Sequence, residues 1–245
     1  MQLVIDIGNT RVKAALFEQN NLIHYFVFTN VAELLQANII QQYKVKNCIV
    51  SSVIDGIKSL IEDIKKQVPV LLYTVQTPTP LKNRYESPST LGSDRLAASV
   101  AGNFMFPNRN VLVIDAGTCI KYNFINSNNE YIGGAISPGL QMRFNALHAF
   151  TARLPLLEID ENFDTFIATN SNENILSGVE LGTVAEINSF IDQYRLLYPD
   201  INVVLTGGNV NFFEKRLKKP IFADSYLILK GLNIILDYNF KISYF

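Results

Sequence analysis

Cysteine and histidine are nearly missing from this chain, with 2 of each in 245 residues. Cys48 and Cys119 show neither metal-ligand nor Cys-x-x-Cys spacing, which suits buried thiols in a reducing compartment. His24 and His148 stand apart from every motif described below and read as structural or exposed residues. Neither sign of charge dominates: 21 basic against 22 acidic residues leave a net charge of −1 and a pI near 6.1. That balance gives no electrostatic footprint for nucleic acid or an acidic membrane, so a small-molecule partner is expected. No apolar run approaches the roughly 18 residues of a membrane span. Charged blocks and low-complexity stretches are lacking, which leaves nothing to read as a disordered tail. Met1 leads almost directly into an apolar strand without a basic segment, an apolar leader core or a cleavage site, and the expectation is a soluble cytoplasmic protein. Walker A, Gly-x-Gly-x-x-Gly, Gly-x-Ser-x-Gly and His-Glu-x-x-His patterns do not occur, which removes the commonest signatures of NTPases, dinucleotide enzymes, hydrolases and zinc proteases.

What the chain does contain is one phrase written twice. Asp6-Ile7-Gly8-Asn9-Thr10-Arg11-Val12-Lys13 stands near the start, and Asp115-Ala116-Gly117-Thr118-Cys119-Ile120-Lys121 returns near the middle. Each copy follows an apolar run, Leu3-Val4-Ile5 or Val111-Leu112-Val113-Ile114. Each aspartate is therefore expected at the exit of a buried strand, where a glycine turn leads into a second strand. Such a turn exposes backbone N–H groups, the glycine lets the chain approach a phosphate, and the aspartate can hold a cation or its water shell. Two facing copies would grip a polyphosphate from both sides.

With 48% apolar residues in 27.5 kDa, the chain can bury a substantial core. The pattern predicts strands over 3–6, 12–17, 22–28, 47–51 and 70–73, and helices over 31–43, 54–66 and 93–104. The proline-bearing stretch 74–88 reads as a functional loop. The second half restarts with strands over 111–115, 119–125 and 131–136. A helix near Pro138, a long helix over 175–197, a strand over 201–205 and a final helix over 225–238 follow. Duplicated β-β-β-α-β-α units describe an α/β fold of two ribonuclease-H-like domains, the actin-like ATPase architecture with a central nucleotide cleft. The boundary is expected near Asn110, giving domains 1–109 and 110–245.

Several side chains carry two readings at this level. Lys13, on the same strand face as Arg11 and opposite Val12, either neutralises a transferring phosphoryl group or is a solvated edge lysine. Thr206-Gly207-Gly208-Asn209 either receives an adenosine moiety or makes an ordinary strand-to-helix turn. The glycines of 133–139 either open space for substrate or shape a turn. Asp94, at a predicted helix start, is either a cap or a carboxylate placed to accept a proton from a substrate hydroxyl, and the adjacent Arg95 suits paired hydrogen bonds to a substrate carboxylate.

Taken together, these motifs resemble the type III pantothenate kinases, nearly end to end. The likeness rests on Asp6-x-Gly8-Asn9-Thr10-x-x-Lys13, Tyr85 with Gly92-Ser93-Asp94-Arg95, Asp115-x-Gly117-Thr118, the 133–139 segment and Thr206-Gly207-Gly208. The resemblance implies ATP-dependent phosphorylation of pantothenate, the first step of coenzyme A synthesis. It assigns Asp6, Ile7, Gly8, Asn9, Thr10, Arg11, Val12 and Lys13 to the ATP phosphates, with Mg²⁺ held by Asp6 through water, and gives Thr118 a nucleotide contact. Tyr85, Gly92, Ser93, Asp94 and Arg95 would hold pantothenate, with Asp94 as general base and Arg95 on the substrate carboxylate. Asp115 would bind a monovalent cation, K⁺ or NH₄⁺. The family works as a homodimer, and Ser171, or alternatively the nearby Thr169, would complete the partner's substrate site. The chain departs from the family pattern at Lys121 and Asn123, where a threonine and an acidic residue are usual. Competing readings are a non-catalytic regulator of the same fold, another small-molecule kinase of the superfamily, and a ribonuclease-H-like nuclease; the last would need several clustered acids.

Overall fold

A computed structural model describes residues 1–8, 11–54 and 56–242, the last without its side chain. The chain divides into two compact units, 1–105 with 129–131 and 226–245, and 106–128 with 132–225.

In the first unit, β1 (Gln2–Ile7), β2 (Val12–Glu18) and β3 (Asn21–Phe28) run antiparallel in succession. After α1 (Val31–Gln36) and α2 (Ile39–Gln42), β4 (Asn47–Ser52) returns parallel to β1, and α3 (Lys58–Lys65) leads to β5 (Val70–Leu72). The sheet order is β3-β2-β1-β4-β5. Leu3, Ile5 and Ile7 of β1 face a core shared with Val12, Ala14, Leu16, Val50, Leu60 and Ile64. Val4 is equally buried on the other face. A strand apolar on both faces needs helices on both, as the alternation of side chains dictates. The unit continues with β6 (Lys82–Asn83), a 3₁₀ turn at Pro88–Thr90 and α4 (Ser93–Met105).

The second unit repeats the plan. β7 (Val111–Ala116) and β8 (Cys119–Ile125) form an antiparallel hairpin, and β9 (Glu130–Pro138) lies beside β8; its first residues, Glu130 and Tyr131, pair with β6 in the first unit's share of the chain. Next come α5 (Leu140–Ala149), α6 (Ser171–Leu176), a π-helical turn at Ser177–Leu181 and α7 (Gly182–Leu197). Then β10 (Asn202–Thr206) runs parallel to β7, α8 (Val210–Glu214) follows, and β11 (Phe222–Ala223) pairs with β10. The sheet order is β6-β9-β8-β7-β10-β11, and its last five strands follow the order of the first sheet.

The last helix, α9 (Leu227–Ile242), returns to the first unit. There it packs on α4, with Leu227, Leu232, Ile235 and Leu236 fully buried, and Gln2 Nε2 donates to Asp237 Oδ1 at 2.5 Å. The earlier unit breaks off after Met105, and α9 rejoins it because its apolar face packs there. Two expected helices are shorter than their patterns. The 31–43 helix breaks at Asn38, which adopts left-handed φ 49°, and the 54–66 helix begins only at Lys58 because Ser52 Oγ and the Ile54 backbone close a local turn.

The long helix expected over 175–197 is present, with the π-helical turn as its start. That turn buries Glu180 completely; its Oε1 accepts the Asp160 N–H at 2.8 Å, while Oε2 has no hydrogen-bond partner among the described residues. Burial pushes this carboxyl above the usual carboxylate range against the opposing pull of the Asp160 N–H and of Arg216. The folded state thus binds the proton more tightly than the unfolded chain, and the stability this provides fades as pH rises. Glu180→Gln keeps the acceptor and removes the buried charge. Its melting temperature should exceed that of the parent at ~pH 8 and lose the advantage toward ~pH 4. A difference that stays flat over this range in thermal unfolding would rule out an ionised Glu180 as the cause.

Candidate functional site

The first unit carries two clusters. Asp6 leaves β1 half-buried, with Lys13 directly opposite on β2 and Ser51 its register partner on β4. The Gly8 N–H donates to the Arg11 carbonyl at 3.0 Å and closes the turn; Asn9 and Thr10 lie outside the described residues. Val12 enters the core while Arg11 is exposed and Lys13 half-buried, as alternation on the strand requires.

The other cluster forms where α4 begins. The Gly92 carbonyl accepts from the N–H groups of Arg95 at 3.1 Å and Leu96 at 3.4 Å, and Asp94 Oδ1 accepts from the Arg95 N–H at 2.8 Å. A carboxylate here also meets the positive end of the helix. A Cβ at position 92 would stand 2.6 Å from Asp94 Oδ1, so the glycine leaves that oxygen its place. Arg95 is only 6% exposed, and its guanidinium carbon lies 5.8 Å from the Tyr85 ring centroid. Tyr85 in turn tilts against Tyr131, centroids 6.1 Å apart. Tyr73 is buried; burial pushes its hydroxyl well above the usual range, and the charge of Asp94 adds to this. Tyr85 and Arg95 thus meet at the start of α4. Tyr73 and Tyr131 carry no motif and were legible only through the fold.

In the second unit the glycine-rich motifs converge on one turn. The Gly117 N–H donates to the Cys119 carbonyl at 3.0 Å, leaving Thr118 exposed at the tip of the β7–β8 hairpin. Gly139 donates to the Thr118 carbonyl at 3.0 Å, and a Cβ there would lie 2.1 Å from the Gly117 oxygen. Gly207, at φ +103°, lies so close that a Cβ would stand 2.5 Å from the Ala116 oxygen, which also accepts the Asn209 N–H at 2.9 Å. One hairpin turn therefore meets the 133–139 and 206–209 motifs. Directly across the hairpin, Lys121 Nζ contacts Asp115 Oδ2 at 3.0 Å, an ion pair whose side chains are 23% and 8% exposed. Ser171 is exposed at the first turn of α6, which Asn170 caps by accepting the Glu173 N–H at 3.0 Å.

A polar network in the same unit was not foreseen. Glu186 Oε1 accepts from Tyr122 Oη at 3.1 Å and Ser137 Oγ at 2.5 Å, and its Oε2 accepts from Arg143 Nη2 at 2.5 Å. Burial alone would raise the Glu186 carboxyl, but these donors outweigh it and hold the group below its usual range. The network fixes the end of β9 against α5 and α7, which favours a structural part for Ser137. Its members are dispersed along the chain, so spacing gave no signal.

Solved structures with the same plan include a Campylobacter jejuni protein assigned to the Baf family of transcriptional activators (TM-score 0.65, 21% identity, 98% of this chain and 99% of the other). Another is a Listeria monocytogenes protein assigned as an N-acetylmannosamine kinase (TM-score 0.58, 15% identity, 97% and 99%). At these identities the likeness establishes the fold, that of the actin-like ATPases. Sequence comparison is narrower. The family description "Type III pantothenate kinase" matches residues 2–193, and a Flavobacterium johnsoniae protein of that name is 44% identical over 242 residues, covering 97% of this chain and 98% of the relative. The chain belongs to the type III pantothenate kinase family.

The close approach at Gly207 is directly testable. Gly207→Ala combines a positive φ with a backbone clash, and it should cost at least about 1–3 kcal/mol of stability. Chemical denaturation checks this, and an unchanged midpoint would contradict the packing described.

Proposed function

We propose that the chain transfers the γ-phosphate of ATP to the primary hydroxyl of pantothenate. The observation that carries the reading is the Gly92-Ser93-Asp94-Arg95 cluster with Tyr85, a carboxylate and a buried guanidinium on one helix start, in a chain of this family. Phosphoryl transfer through a loose transition state needs positioning more than a strong base. Asp94 accepts the proton of the attacking hydroxyl. Arg95 holds the substrate carboxylate by paired hydrogen bonds, and Tyr85 packs beside it.

ATP phosphates are bound by the turn from Asp6 to Lys13, with Lys13 facing the charge that develops on the transferred group, and Thr118 contacts the nucleotide. Kinases of this kind work with a divalent metal, which when bound draws charge off the phosphates. Among the described residues no three His, Cys, Asp or Glu side chains are gathered as a metal cage. A single strand-end carboxylate such as Asp6 fits Mg²⁺ that keeps its waters and is held mostly by phosphates. The functional unit is a homodimer in which the exposed Ser171 reaches the substrate of the partner subunit. No helix among the described residues is long and apolar enough to cross a membrane. The cytoplasm as the place of work is part of the same proposal.

Asp94→Asn should lower turnover by about 10²–10⁴-fold while leaving ATP affinity within about twofold. Pantothenate-dependent ADP release and calorimetry measure the two; near-normal turnover would exclude Asp94 as the base. Pantothenate binding without turnover in the unaltered chain would turn the reading toward a regulator of the same fold. Ser171→Ala should raise the KM for pantothenate and leave that for ATP unchanged, whereas a fully active monomer would refute the shared site.

A further inference from the structure

The β7–β8 register sets Asp115 directly opposite Lys121, and side chains paired across an antiparallel ladder share a face. Their contact is therefore dictated by the hairpin. The carboxylate side chain is 8% exposed, and the ammonium at 3.0 Å lies against one of its oxygens. A buried carboxylate needs a compensating charge, and here the chain supplies it from the facing strand. A free monovalent cation at Asp115 does not fit this arrangement. It would share one screened carboxylate with an ammonium already in contact, and the two like charges would repel at close range.

The surroundings give the pair its significance. Lys121 belongs to the hairpin whose tip is Thr118, and the 133–139 and 206–209 segments pack onto that tip through Gly139 and Gly207. The first unit places its own lysine the same way, Lys13 opposite Asp6. A primary ammonium has the charge of K⁺ and the donor chemistry of NH₄⁺, and being tethered it is never diluted away.

We propose that the Lys121 ammonium is a built-in substitute for the monovalent cation, so that nucleotide binding and phosphoryl transfer by this chain need neither potassium nor ammonium. The consequence for turnover rests on the pantothenate reading above; the cation preference of nucleotide binding rests only on its ATP site.

The test compares the full chain in KCl and in choline chloride at equal ionic strength. The affinity for a non-hydrolysable ATP analogue with Mg²⁺ is read by calorimetry, and pantothenate-dependent ADP release is read in parallel. The unaltered chain should give values within about twofold in the two salts. Lys121→Thr removes the ammonium and offers a small oxygen ligand. It should bind the analogue at least about tenfold more weakly in choline and recover in potassium, a rescue that mere loss of packing would not show. A Lys121→Met/Asp115→Asn double variant, with neither charge, should show no potassium rescue. If the unaltered chain binds the analogue or turns over several-fold better in potassium, the proposal fails, and this holds even if Lys121→Thr does not fold. Absence of turnover in both salts with salt-independent analogue binding would overturn the pantothenate kinase reading and leave the inference about Lys121 standing.

Discussion

A strand buried on both faces has no place for a charge until it ends, and each unit is organised around that constraint. In β1 the residues Leu3, Ile5 and Ile7 point to one layer and Val4 to the other; in β7 the residues Leu112, Ile114 and Ala116 do the same opposite Val111 and Val113. The aspartate comes at the exit in both, and the next strand brings a lysine to the facing position. A one-residue slip would turn every one of these side chains over, so in the β7–β8 hairpin the apolar layers and the Asp115–Lys121 pair enforce the same register. The positions of the glycine turns follow from it.

Much of the fold was legible because its strands announce themselves. Apolar runs bounded by glycine, asparagine or proline gave each main strand to within two or three residues, and the order of three strands before a helix gave the duplication. Helix limits were less legible. The apolar spacing of 31–43 is helical throughout, yet Asn38 takes a left-handed conformation and splits it; the spacing of 54–66 ignores the side-chain turn at Ser52. The destination of α9 was not legible at all. An amphipathic helix states that it must cover something apolar, and only the three-dimensional arrangement says which sheet.

The candidate site divides in the same manner. Residues within one turn, such as those from Gly92 to Arg95, keep their neighbours in sequence as neighbours in space, and the motif sufficed. Tyr73 and Tyr131 reach that cluster from other elements, and the Glu186 network spans α7, α5 and two strands. For Lys121 the sequence supplied a departure from a pattern, while the meaning came from the pairing of two strands.

The return of α9 makes the first unit discontinuous, with the whole of the second unit inserted between α4 and the helix that packs on it. The residues of β1 therefore wait for those of α9, since Leu232, Ile235 and Leu236 follow every strand in the chain. Until then the side of β1 that holds Val4 stays uncovered, and the nascent chain has an unfinished apolar face for chaperones to guard.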